Sequence, residues 1–80
     1  MMQWQVTNPY LEEIGTMSKR FEDVCYLAWI DPNGMGVLEV ERRGTYYKAW
    51  VCGSIKEAMH RAEQIEDGII DVGLSKEETT

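Results

Sequence analysis

Eighty residues, 44% of them hydrophobic, make one folded domain at most. A chain this short buries only about 60–65% of its unfolded surface, which leaves little room for a deep substrate pocket. A net charge of −6, from 14 acidic and 8 basic side chains, disfavours nucleic acid and anionic membranes as ligands and favours a protein partner with a basic surface.

Trp4 to Val6 is a short apolar patch that suits an edge strand. Asn8-Pro9 then reads as a helix start, because Asn caps well and Pro is tolerated at the first helical position. Glu12 and Glu13 fall where a first turn favours negative charge, and Gly15 is a stop. The expectation is a short N-terminal helix carrying Tyr10, Leu11 and Ile14. Thr16 to Asp23 fits either period and is read as an irregular lead-in.

Val24 to Ile30 is rich in β-branched and aromatic residues and reads as a central strand. Asp31-Pro32-Asn33-Gly34 is a turn, with Pro presetting φ and Gly supplying a positive φ. Gly36 adds looseness to that hairpin connection. Val37 to Arg42 alternates, with Leu38 and Val40 on one face and Glu39 and Glu41 on the other. Arg43-Gly44 is a second turn. Thr45 to Cys52 forms the third strand, dividing into Tyr47, Ala49 and Val51 on one face and Tyr46, Lys48, Trp50 and Cys52 on the other.

Ser54-Ile55-Lys56-Glu57 is a capping box, in which Glu57 is expected to reach back to the Ser54 N–H. Ile55, Ala58, Met59, Ala62, Ile65 and Ile69 recur at helical spacing, and Gly68 marks the helix end. The fold expected is α+β: a three-stranded antiparallel sheet on one C-terminal helix, with a short N-terminal helix. It spans residues 1–74, followed by a flexible polar tail over 75–80.

The chemistry-bearing residues give no catalytic, metal or cofactor site. His60, the only histidine, lies on the polar side of the helix, where solvation accounts for it. No Cys/His cluster has the spacing of a zinc site. Cys25 and Cys52 lie within strands, where thiols are buried and inert rather than nucleophilic. If the first and third strands were neighbours, these two could bridge. Two cysteines are few for a disulfide-stapled secreted domain, no signal-peptide pattern opens the chain, and no apolar run reaches the roughly 20 residues of a membrane span. Both thiols are therefore expected reduced, in the cytoplasm.

Two surfaces are left once the core is assigned. One is an aromatic sheet face carrying Tyr46, Lys48, Trp50 and Glu39/Glu41, or the complementary set, because one helix covers only one face. The N-terminal segment and Trp4 could cover it instead. The second is the acidic helix exterior of Glu57, Glu63, Glu66 and Asp67, which a solvated face would explain equally well. Sheet aromatics can also stack bases, but Arg42, Arg43 and Lys48 beside Glu39 and Glu41 are thin for neutralising phosphate.

The aromatic strand Tyr46-Tyr47-Lys48-Ala49-Trp50-Val51 is followed by Ser54, Glu57, Ala58, Ala62 and Glu63. This segment resembles small acidic accessory proteins of phages and mobile elements, including anti-CRISPR inhibitors. The strand-strand-strand-helix order is also similar to antitoxins of the HicB type, without residues for their DNA-binding segment. The first resemblance implies a non-enzymatic inhibitor that blocks a basic nucleic-acid-binding surface, with Glu57, Glu63, Glu66, Asp67, Tyr46 and Trp50 as partner-binding residues. The second implies a homodimeric interaction module. Neither implies a catalytic residue.

Overall fold

The computed structural model describes residues 2–74; the tail expected over 75–80 lies outside them. Five strands precede one helix: β1 (Gln5–Asn8), β2 (Glu13–Met17), β3 (Val24–Ile30), β4 (Gly36–Arg42), β5 (Tyr46–Cys52) and α1 (Ile55–Glu66). Each strand pairs antiparallel with the next, in the order β1-β2-β3-β4-β5. The class is α+β, but among the described residues the sheet is five-stranded rather than three-stranded and no N-terminal helix forms.

The N-terminal correction has a local cause. The Asn8 side chain accepts from the Tyr10 N–H at 3.1 Å, as a helix cap would, but the Leu11 N–H returns to the Asn8 carbonyl at 3.2 Å. Glu12 then adopts φ 54°, a left-handed conformation that stops helix propagation. The same residues therefore build a hairpin turn. A helix this short would have needed tertiary packing to hold, whereas Ile14 to Met17 gain a ladder against Ala28 to Cys25 of β3.

From β3 onward the sequence reading holds closely. Asp31 organises the β3–β4 turn, its side chain accepting from Asn33 and Met35 N–H at 2.9 Å each, and Gly34 takes φ 85°. Gly36 has a different role from the one expected. It opens β4, and a Cβ there would lie 2.0 Å from the Ser54 carbonyl oxygen; glycine lets the start of the helix sit directly on the sheet.

Ser54 caps α1 by accepting from the Glu57 N–H at 3.1 Å. The Glu57 carboxylate returns to the Gly53 N–H at 2.8 Å, one residue earlier than a standard capping box. At the other end, Gly68 N–H reaches Ile65 O at 3.2 Å and Ile69 N–H reaches Gln64 O at 2.9 Å. With Gly68 at φ 80°, this is a Schellman stop. Ile69 is nonetheless 71% exposed, while Leu74 is buried.

The core lies between α1 and one face of the sheet. Val24, Tyr26, Ala28, Leu38 and Val40 meet Ala58, Ala62 and Ile65, with Met2, Trp4, Tyr46 and Trp50 packed around them. Register places these strand residues on one face: Ala28, Leu38 and Trp50 lie opposite one another in a row, as do Tyr26, Val40 and Lys48.

Glu66 locks the helix to the β2–β3 loop. Its carboxylate accepts from the Ser18 hydroxyl, the Lys19 N–H at 2.7 Å, the Arg20 N–H at 3.1 Å and the Tyr26 hydroxyl at 2.9 Å. Burial alone would raise the Glu66 pKa, but these donors hold it below its ordinary value. The Tyr26 hydroxyl is pushed up, by burial first and by Glu66 second. A lowered folded-state pKa contributes stability that is whole above the ordinary value of 4.5 and is lost as pH falls through the folded value. Glu66→Gln should therefore destabilise the protein at neutral pH, by about 1 kcal/mol once solvent screening of this half-buried group is allowed for. In urea titrations the gap to the parent protein should close as pH falls below 4.5; a gap unchanged in acid would contradict this role.

Candidate functional site

The sheet face turned away from α1 has no covering segment among the described residues. Trp4 and Met2 pack on the helix side, and the N-terminal residues extend the sheet instead of folding across it. By alternation and register this open face carries Gly15 and Met17 of β2, Cys25, Leu27 and Trp29 of β3, Val37, Glu39 and Glu41 of β4, and Tyr47, Ala49 and Val51 of β5. Glu39 and Glu41 thus share their face with Tyr47, Ala49 and Val51, and not with Tyr46, Lys48 and Trp50 as expected, because Leu38 and Val40 pair with Trp50 and Lys48.

Glu39 is the centre of the face. It accepts from the Trp29 indole N–H on one side and from the Tyr47 hydroxyl, at 2.8 Å, on the other. The carboxylate thereby fixes two aromatic rings on flanking strands. Beside it runs an apolar row, Trp29–Val37–Val51, set by direct cross-strand register. Val51 is 66% exposed and Tyr47 60%, and Met17 is similarly exposed at the β2 end. Leu27 lies over Gly15, where a Cβ would come within 2.7 Å of its methyl.

The charge on this face has one sign. Its strand positions hold Glu13, Glu39 and Glu41, with no lysine or arginine. The hydrogen bond to Glu39 raises the Tyr47 pKa. The Cys25 thiol is pushed up by partial burial first, then by the negative charge and hydrogen bond of Glu41, with Sγ 3.7 Å from Oε1.

The six residues expected to bind a partner are dispersed. Tyr46 and Trp50 sit on the helix side of β5, packed at the core margin, and the Tyr46 hydroxyl donates to the Val72 carbonyl at 2.6 Å. Glu57 is engaged by the Gly53 N–H and Glu66 by its four donors. Only Glu63, Glu66 and Asp67 come together, along an open groove of about 860 Å³ beside Met17, Lys19 and Arg20. Asp67 also ends the helix as its C-cap.

Trp29, Glu39 and Tyr47 are the trio that sequence reading did not assemble. A signal for it existed. Leu38 and Val40 are the apolar side of β4, so Glu39 and Glu41 mark the outer side. A hairpin turn at Arg43-Gly44 pairs Glu39 with Ala49 and Glu41 with Tyr47.

Among the described residues no group of three or more His, Cys, Asp or Glu could hold a metal ion, and no buried side-chain polar atom lacks a hydrogen-bond partner. Cys25 and Cys52 are both free thiols. They cannot bridge, because β4 separates their strands by two spacings, about 9–10 Å, and they point to opposite faces. No described helix is long and apolar enough to cross a membrane. Compared with known proteins, the chain matches no family model, no curated protein and no solved structure.

The raised Cys25 pKa gives a direct check of the face's electrostatics. In the folded protein Cys25 should alkylate several-fold more slowly at neutral pH than a free thiol, and Glu41→Gln should speed it. A thiol that reacts as fast as a free one, with no response to Glu41→Gln, would remove the acidic environment assigned here.

Proposed function

We propose that this chain is a non-catalytic protein-binding module that takes a partner with a basic surface on its open sheet face. The observation that carries this is the Trp29–Glu39–Tyr47 cluster on an uncovered face. Aromatic rings already held in place lose little conformational freedom on binding, which is the property of interface anchors. The exposed Val51 and Tyr47 side chains supply desolvation energy, and Glu39 and Glu41 select a cationic partner.

A basic surface that normally holds nucleic acid would present such charge. Blocking it is the mode of action of the anti-CRISPR-like inhibitors that the β5–α1 segment resembles, and the net charge of −6 supports that form. Two free thiols suit a reducing cytoplasm. The helix exterior is the weaker surface for this purpose, since Glu57 and Glu66 already serve internal hydrogen bonds.

A tryptophan-free arginine- and tyrosine-rich peptide, titrated calorimetrically, tests the reading. Affinity should fall with added salt and drop at least tenfold with Glu39→Lys combined with Glu41→Lys. Glu63→Lys combined with Asp67→Lys should leave it nearly unchanged. Binding abolished by the helix pair and indifferent to the sheet pair would overturn the assignment to the open face.

A further inference from the structure

The two edges of the sheet differ in kind. β1 has four residues, breaks register between Val6 and Asn8, and runs into Pro9. Shortness, a bulge and proline are the devices that protect an edge from pairing. β5 has none of these. It runs seven residues with unbroken register against β4, from Arg42↔Tyr46 to Gly36↔Cys52. Among the described residues no strand pairs with its far side, where Tyr47 to Val51 present a regular row of backbone groups. Helix α1 is centred over β4, and the C-terminal segment meets β5 from the helix side, where Val72 O receives the Tyr46 hydroxyl.

We infer that β5 pairs antiparallel with β5 of a second copy, centred on Ala49, joining two sheets into one of ten strands. The self-complementarity of the strand carries the inference. A two-fold axis at Ala49, the midpoint of β5, brings Tyr47 to Val51 of the two copies into antiparallel register. It places Tyr47 opposite the partner subunit's Val51, an aromatic–β-branched pair on the open face. Lys48, the only charge in β5, lies opposite the partner subunit's Trp50, where a cation meets a ring and not another lysine. The smallest side chain of the strand sits on the axis. Moving the axis one residue to Lys48 would set two ammonium groups against each other and shorten the ladder.

Charge permits the arrangement. On the open face Glu39 lies next to Ala49, so the two copies of Glu39 are three strand spacings apart. That is about 14 Å, beyond the screening length of about 8 Å at physiological salt. An axis perpendicular to the sheet keeps both helices on one side, so the two open faces become continuous. The pairing rests on β5 alone and does not depend on what the open face binds.

Sedimentation equilibrium and directed cross-linking test it. The parent protein should sediment with twice the chain mass at about 100 μM. Ala49→Lys adds a charge that Glu39 accepts within one copy but that opposes its equivalent across the axis; it should sediment as a folded monomer. In a Cys25→Ser background, Ala49→Cys should oxidise to a cross-linked dimer, while Val51→Cys, facing a tyrosine, should not. A monomeric parent, or cross-linking by Val51→Cys and not by Ala49→Cys, would overturn the inference. A dimer that Ala49→Lys leaves intact would place the contact elsewhere, on the open face, and overturn it equally.

Discussion

A single carboxylate, that of Glu66, holds the two layers of this domain in register. The last turn of α1 has no basic residue of its own, and a negative charge there opposes the helix dipole. The β2–β3 loop offsets this. It folds around Ser18, whose hydroxyl accepts from the Arg20 and Phe21 N–H groups, so that the Lys19 and Arg20 N–H groups converge on Glu66. Tyr26, fully buried in β3, adds its hydroxyl from beneath. Loop, sheet and helix thus meet at one anion. The Arg20 guanidinium lies over Gly68 at the helix end, supplying from the loop the positive charge that the helix lacks.

The open face follows from this arrangement. One helix, fixed over β4 at its start by Gly36 and at its end by Glu66, covers one side only. The N-terminal residues are spent on widening the sheet, and nothing described remains to fold across the other side. Glu39 then does for the outer face what Glu66 does for the inner one, organising hydroxyl and indole donors around a carboxylate. The difference is solvent. Glu66 is tied into the fold by backbone amides, whereas Glu39 and the Tyr47 ring beside it stay accessible to a partner.

How much of this was legible depended on which residues act locally. The β3–β4 turn, the cap at Ser54 and the stop at Gly68 are set by their own side chains, so sequence located them within a residue. Asn8-Pro9 reads as a helix start and proves to be a turn, because an Asn side chain accepting from the residue two ahead begins a helix and an Asx turn alike. The decision lay with Glu12, which no propensity marks as left-handed, and with pairing to β3. Glu66 read as a surface acid because its four donors come from 40 to 48 residues away. The face of β5 was a two-way choice that alternation states but does not resolve. Only the pairing of Leu38 with Trp50 settles it.

The three tryptophans divide between the two sides of the sheet: Trp4 and Trp50 at the core margin, Trp29 beside Glu39 on the outside. Indole N–H resonances followed through the arginine-rich peptide titration therefore test the central claim most directly. Movement of the Trp29 resonance, with Trp4 and Trp50 unchanged, is the predicted result. Movement of Trp4 or Trp50 with Trp29 still would contradict the assignment of the open face as the binding surface.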